Sequence, residues 1–354
     1  SWDGRARTPL SLAGIVDGAL IDDRGDSANR VVVPGDAAHS QLLQRMTGNA
    51  GPRMPPVATR ERDLAGEQLI EDWIVSLAVP RPPASVLNLS ARAETGAGAN
   101  VLVPSFVIAG TEPKTVLVRA IGPTLATMQV SAPLSDPVLT LFSGASSIFA
   151  NAGWNTATNA GEIRATAARV GAFPLPDGSA DSALLVTLAP GPYTAHASSS
   201  AGSSGTALVE VYDADPAPGG GSSRLVNVAV RAALGGSSEI IIPGIVVGSG
   251  AAPTMLLRAV GPGLGAYGVS NPLPRPMLTL YAGSEPYLTN QGWGAAANAA
   301  EISATAVAVG AFPFASGSAD AAILTRLDPG AYTLHVASAD GSAGIVLVEV
   351  YEAP

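Results

Sequence analysis

Past residue 85 the chain alternates between apolar and polar positions. In "YTAHAS", Tyr193, Ala195 and Ala197 fall on one side of an extended backbone, and Thr194 and His196 fall on the other. "YTLHVA" repeats the arrangement, with Tyr332, Leu334 and Val336 against Thr333 and His335. A period of two predicts half-buried strands, because successive side chains of a pleated backbone point to opposite faces. The same reading predicts strands at "VLNLSAR", "NVLVPSFVI", "TVLVRAI", "VLTLF", "SALLVTL" and "TALVEVY". One segment departs from it. In "EIRATAARV", Ile163, Thr166, Ala167 and Val170 follow helical spacing, which predicts a short helix across one end of the strands. Before residue 85 the period is also helical: Leu69, Ile70, Trp73, Ile74 and Leu77 make one apolar stripe.

The pattern occurs twice. Arg119 in "VLVRAIGPTL" returns as Arg258 in "LLRAVGPGL", and the offset 258 − 119 = 139 holds without a gap from Asn88/Asn227 to Tyr212/Tyr351. Roughly half of the paired positions are identical, far above chance over so long a register. "NAGW" and "NQGW", "VGAFP" in both copies, "GSAD" in both copies, and "ALVEVYDA" and "VLVEVYEA" are examples. About eight short strands per copy, punctuated by "PG" turns, predict a mainly β protein: two tandem antiparallel β-sandwich domains of jelly-roll or Ig-like type, preceded by a small, mostly α-helical segment. The expected boundaries are 1–80 for the helical segment, 85–214 for the first copy, 215–223 for a Gly/Pro/Ser-rich linker and 224–354 for the second copy.

Two resemblances follow from these stretches. "DPVLTLFSG" with "SADSALLVTLAPGPYTAHASSSAGSSGTALVEVYD", and its counterpart in the second copy, resemble the β-sandwich modules of bacterial secreted proteins, similar to pre-peptidase C-terminal domains. The resemblance implies an extracellular, non-catalytic role in attachment, secretion or assembly, and it carries no site residues across. The segment from "WDGRARTPLSLAG" through "SQLLQRMTGNAGPRMPP" to "EQLIEDWIVSL" resembles the distal part of the c-type cytochrome domain of secreted quinoprotein-like sugar dehydrogenases. In that family a CxxCH motif lies upstream, and a Met in an "RMPP" loop is the second axial ligand of haem c, a position that Met54 matches. The CxxCH half is absent from this chain. His39, in "DAAHSQLL", is expected at a solvated helix start capped by Asp36.

Composition narrows the chemistry. The chain has no cysteine, which excludes disulfides, thiolate metal sites, thiol catalysis and covalent haem attachment within it. A net charge of −9 with a single lysine, Lys114, argues against a nucleic-acid or anionic-membrane partner, since both require clustered cations. The longest apolar stretch is interrupted by Pro243, Gly244, Gly248, Gly250 and Pro253, so membrane insertion is not expected. Beginning at "SWDGRARTPL", the chain is expected to be a processed piece of something longer.

The remaining motifs point to structure before chemistry. "GLGAYG" (263–268) fits GxGxxG, but the first copy reads "TLATMQ" there and no phosphate-binding helix is expected to follow. There is no GxSxG, and therefore no nucleophile elbow. The acids shared by both copies are Glu162/Glu301, expected to cap the short helix, Asp181/Asp320, expected to bond the "GSAD" turn, and Glu210/Glu349. Arg119 and Arg258 lie in apolar strands, where each must bond a carboxylate or backbone carbonyls. Trp154 and Trp293 are read as core plugs, with an exposed carbohydrate platform as the alternative.

The sequence therefore leads to a non-catalytic extracellular or cell-surface bacterial protein of structural or interaction type. It is expected to self-associate as an oligomer, surface layer, stalk or filament, with surface polysaccharide as a further partner and no cofactor. The alternative is the C-terminal part of a secreted c-type cytochrome or quinoprotein dehydrogenase, with Met54 as a haem axial ligand and the two copies as accessory modules. No catalytic residue is assigned on either reading, and apart from Met54 under the alternative no metal-ligating residue is assigned.

Overall fold

The computed structural model describes residues 13–22, 25–26, 28–48, 62–77, 85–95, 101–216, 222–236 and 239–353. By its contacts the chain divides into two compact units. One is Ser1–Pro83 with Gly250–Ala252 and Arg326–Asp328, and the other holds both copies.

In the N-terminal unit, helices α1 (Gln41–Thr47) and α2 (Leu64–Ser76) pack around Val32, Leu43 and Ile74. The apolar stripe of α2 is narrower than its sequence predicts. Ile74 is fully buried and Ile70, Trp73 and Leu77 pack beside it, but Leu69 is 68% exposed. At 100° per residue Leu69 lies about 140° round the helix from Ile74, beyond the reach of so small a core. Asp36 caps a turn and not the helix itself: its Oδ1 accepts from the N–H groups of Ala38 and His39, before α1 begins.

The second unit is mainly β. The first copy supplies β1 (Val86–Thr95), β2 (Val103–Ala109), β3 (Lys114–Ile121), β4 (Pro137–Ser143), β5 (Ser146–Asn151), β6 (Ser182–Leu188), β7 (Gly191–Ser199) and β8 (Gly205–Asp213). The second supplies β9 (Arg224–Leu234), β10 (Ile242–Val247), β11 (Thr254–Val260), β12 (Pro276–Ala282), β13 (Glu285–Asn290), β14 (Ala321–Arg326), β15 (Gly330–Ser338) and β16 (Gly344–Ala353). The predicted short helix appears in both copies, as α3 (Ala160–Arg169) and α4 (Ala299–Ala308). The strand pair β5/β13 was not among the predicted strands. Its residues, "SSIFAN" and "EPYLTN", sit at a sheet edge with little burial and so do not alternate.

The sixteen strands among the described residues belong to one antiparallel hydrogen-bonded network. The pairings resolve it into two ladders of eight, β6-β3-β8-β1-β10-β15-β12-β13 and β14-β11-β16-β9-β2-β7-β4-β5, joined at the Val86–Leu225 pair. Each ladder takes four strands from each copy. The junctions are reciprocal: Leu89 of β1 pairs Ile245 of β10, and Val228 of β9 pairs Phe106 of β2, where 89 + 139 = 228 and 245 − 139 = 106. Swapping the copies therefore leaves the pairing unchanged, as in a two-fold interface between identical subunits. All four of these side chains are buried. Alternation holds as predicted, with Tyr193, Ala195 and Ala197, and Tyr332, Leu334 and Val336, on buried faces. Among the described residues no helix is long and apolar enough to cross a membrane.

Candidate functional site

The side chains that both copies share gather at one end of each copy, around the turn after β3 or β11 and the short helix. In the first copy Arg119 and Glu210 are direct cross-strand partners on β3 and β8, so the pleat sends both side chains to the same face. Arg119 is fully buried; its Nη1 donates to the Phe173 carbonyl at 2.7 Å, and its Nη2 lies 2.9 Å from Glu210 Oε2. Tyr212 Oη donates to Glu210 Oε1 at 2.9 Å, and the guanidinium sits 4.4 Å from the centre of the Phe173 ring. Burial raises the Glu210 pKa, and the Arg119 charge opposes that rise.

The second copy repeats the set more loosely. Arg258 Nη2 donates to the Phe312 carbonyl at 2.9 Å, but its Nη1 is 3.4 Å from Glu349 Oε2. Tyr351 Oη donates to Glu349 Oε1 at 2.7 Å, and Phe312 and Phe314 lie 4.6 and 4.1 Å from the guanidinium. In each copy the arginine pins the loop after the short helix to the sheet. Both charges are spent on that contact.

Asp181 and Asp320 act at long range and not within the "GSAD" turn. Asp181 is fully buried; its Oδ1 accepts from Gly122 N at 2.8 Å and Thr124 N at 3.4 Å, and its Oδ2 accepts from the Thr124 hydroxyl. It thereby caps the 3-10 turn Pro123–Met128. In the second copy Asp320 Oδ1 accepts from Gly261 N at 2.8 Å and Gly263 N at 3.2 Å, capping Pro262–Tyr267, the "GLGAYG" stretch. Gly263 stands where the first copy has Thr124, so Asp320 Oδ2 is buried with no hydrogen-bond partner among the described residues. Both turns start from a glycine that nothing else could replace: a Cβ on Gly122 or Gly261 would lie 2.0 Å from the carbonyl oxygen of Leu134 or Leu273.

The tryptophans diverge. Trp154 is buried; its Nε1 donates to the Pro176 carbonyl and to Ser179 Oγ, both at 3.2 Å. Arg164 lies over the indole, 5.1 Å from its centre, and is held there by an ion pair to Asp177. At the corresponding positions, 164 + 139 = 303 and 177 + 139 = 316, the second copy has Ser303 and Ser316. Trp293 keeps the bond to Ser318 Oγ at 3.2 Å and packs against Phe314, but it is only half-buried. Beside it opens a shallow cleft of about 670 Å³, lined by Trp293, Gln291, Ala299, Ser303, Ser316 and Ser318 among others.

The other expected positions stay apart from this end. Glu162 and Glu301 lie in the first turns of α3 and α4, whose N-caps carry no side-chain hydrogen bond, so they act on the helix dipole and not as caps. His39 has its Nδ1 2.5 Å from Asp36 Oδ2, and that hydrogen bond raises its pKa. His196 lies tilted against Phe142 and His335 against Tyr281, with ring centres 4.5 and 4.2 Å apart. Desolvation first, then Arg231 beside His196 and Arg92 beside His335, lower both pKa values. Met54 lies outside the described residues. Among the described residues no group of three or more His, Asp or Glu could hold a metal ion.

The Arg164–Asp177 lid and its replacement by serines were not singled out in the sequence. The signal was present as a double divergence within the 139-residue register, but nothing local connects positions 13 residues apart across a helix end.

No family model matches the chain, and no curated protein matches it. Among solved structures, PNGF-II in its P21 space group aligns with TM-score 0.19 and 9% identity, over 78% of this chain and 58% of that one. PNGF-II in its C2 space group gives TM-score 0.17 and 9% identity, over 77% and 57%. This chain thus spans less than two thirds of PNGF-II, and a likeness at that level carries no argument about fold or activity.

Proposed function

We propose that the chain is a non-catalytic extracellular protein of structural or interaction type, built from two β-sandwich modules that assemble further through their sheet edges. The observation that carries the reading is the reciprocal pairing of β1 with β10 and of β9 with β2. The modules join by adding strand to strand, and this kind of contact extends readily from one chain to the next. The sandwich reading is supported by bonds that tie the two ladders together within a copy. Ser182 Oγ on β6 donates to the Pro137 carbonyl of β4 at 2.7 Å, and the Ala183 N–H donates to Asn151 Oδ1 of β5 at 3.0 Å.

Four strands end the ladders: β6, β13, β14 and β5. Of these, β5 exposes Ile148 and Phe149 and bears no charged residue to discourage pairing. The shared buried polar groups support a structural role as well, since Arg119, Glu210 and Asp181 are engaged with one another or with the backbone. The extracellular placement rests on the resemblance to modules of secreted bacterial proteins.

Sedimentation velocity across a dilution series tests the assembly, with Phe149→Lys as the edge-breaking variant. Association that weakens on dilution and is lost in the variant is the expected result, and a concentration-independent monomer would overturn it. Visible absorption of the native material tests the alternative. A Soret band would replace the non-catalytic reading with the haem reading, in which Met54 is an axial ligand.

A further inference from the structure

We propose that the Trp293 cleft of the second copy binds a neutral saccharide, and that the first copy is the same site closed by its own side chains. The two copies keep the tryptophan, the hydrogen bond from its Nε1 and the helix beside it. They differ in what covers the ring. Arg164 occupies one side of Trp154, at 5.1 Å, in the manner of a bound cation, and Asp177 holds it in place. With Ser303 and Ser316 in their stead, the corresponding side of Trp293 faces a cleft of about 670 Å³.

The chemistry of that cleft selects its occupant. An indole floor favours a flat, weakly polarised CH surface, and the hydroxyls of Ser303 and Ser316 with the amide of Gln291 offer hydrogen bonds around its rim. Among the described residues no Asp, Glu, Lys or Arg lines the cleft, so none of them there would neutralise a charged ligand. A pyranose ring meets both demands, with one apolar face and an edge of hydroxyls. The cleft is open at the surface, which suits an internal or terminal unit of a chain more than an enclosed small molecule.

The experiment uses the full chain. An array of neutral hexose, pentose and N-acetylhexosamine oligomers selects the best sugar, and calorimetry with tryptophan fluorescence then gives affinity and stoichiometry. One site per chain and a shifted indole emission are expected. Ser303→Arg combined with Ser316→Asp copies the lid of the first module at two exposed positions, and it should weaken binding by about tenfold or more with unchanged circular dichroism. Arg164→Ser combined with Asp177→Ser should open a second site on Trp154. No binding by any sugar on the array, or binding that the added lid leaves unchanged, would overturn the proposal. Binding of decaproline in place of sugars would overturn the saccharide assignment.

Discussion

Arg164 and Asp177 close over Trp154 in the first copy, while Ser303 and Ser316 leave Trp293 half-uncovered in the second. The same asymmetry recurs one layer deeper. Thr124 satisfies both oxygens of Asp181 together with the backbone, whereas Gly263 leaves Asp320 Oδ2 without a partner among the described residues. The Arg–Glu distance is 2.9 Å in the first copy and 3.4 Å in the second. In the first copy Lys114, fully buried, pairs Asp213 at 2.9 Å and Asp215 at 2.7 Å; in the second, Pro253 stands at its position and Arg224 pairs Glu352 instead. Residues identical in the copies are those that hold strands, turn and helix together. The differences lie in the polar partners around them: the Asp320 and Arg258 contacts are looser than their first-copy counterparts, while at the start of β11 Arg224–Glu352 takes the place of the lysine pairs.

The largest effect should come from the buried arginines. Removing one partner of a buried ion pair leaves an uncompensated charge and costs about 3–5 kcal/mol, so Arg119→Met should lower the urea midpoint severely. Arg258→Met should cost less, because its ion pair is longer. Equal losses would show that the distance difference carries no energy.

A smaller gain is expected from Gly263→Thr. It supplies the hydroxyl that Asp320 Oδ2 lacks, and a Cβ at 263 meets that oxygen at 3.2 Å and Val260 Cγ1 at 3.1 Å, contacts that need shifts of a few tenths of an ångström. Stabilisation of about 1 kcal/mol is the expectation, with a loss of similar size for Thr124→Gly, both read from thermal or urea unfolding. Destabilisation by Gly263→Thr would mean that the turn cannot yield to the extra methyl group.

Acid should act on both copies at once. Burial, and then Arg231 and Arg92, lower the pKa values of His196 and His335 in the fold, and each arginine belongs to the other copy. Their folded pKa values lie below the unfolded value, so the unfolded chain takes up protons first. The stability they contribute is intact above about pH 6.5 and falls as the pH drops below it. His39 runs the other way in the N-terminal unit: its raised pKa means stability present at low pH and lost as pH rises through it. Urea midpoints against pH, with His196→Gln and His335→Gln combined, separate the two. A pH profile unchanged by the double variant would remove the histidines from the account.

The smallest effect belongs to the lid itself. Arg164 and Asp177 have side chains 59% and 71% exposed, and exposed pairs contribute about 0–1 kcal/mol. Arg164→Ser should therefore leave stability nearly unchanged while uncovering Trp154, visible as increased quenching of indole fluorescence by acrylamide. A large loss of stability would show that the lid holds the helix and does not merely cover the ring.

Much of this was legible in the chain. Alternation placed the buried faces of β7 and β15 because strand geometry has a period of two whatever the partner, and helical spacing placed α3 for the same kind of reason. The 139-residue register then required each element of one copy to recur in the other. The need of Arg119 for a carboxylate or carbonyl was also readable, since an apolar strand tolerates no unpaired charge; Glu210 and the Phe173 carbonyl meet it. Local pattern misjudged Asp181, whose partners Gly122 and Thr124 lie 59 and 57 residues away.

Three-dimensional structure alone decided which strands are neighbours. Alternation marks a face but names no partner, and β1 pairs with β8 of its own copy along one side and with β10 of the other copy along the other. It also decided which tryptophan is open. Trp154 and Trp293 sit in nearly the same local sequence, and their surroundings differ through side chains at 164 and 177, or 303 and 316, that meet over the ring only once the helix and the following loop are folded against it. Burial and ion pairing depend on distance in space, whereas periodicity depends only on distance along the chain.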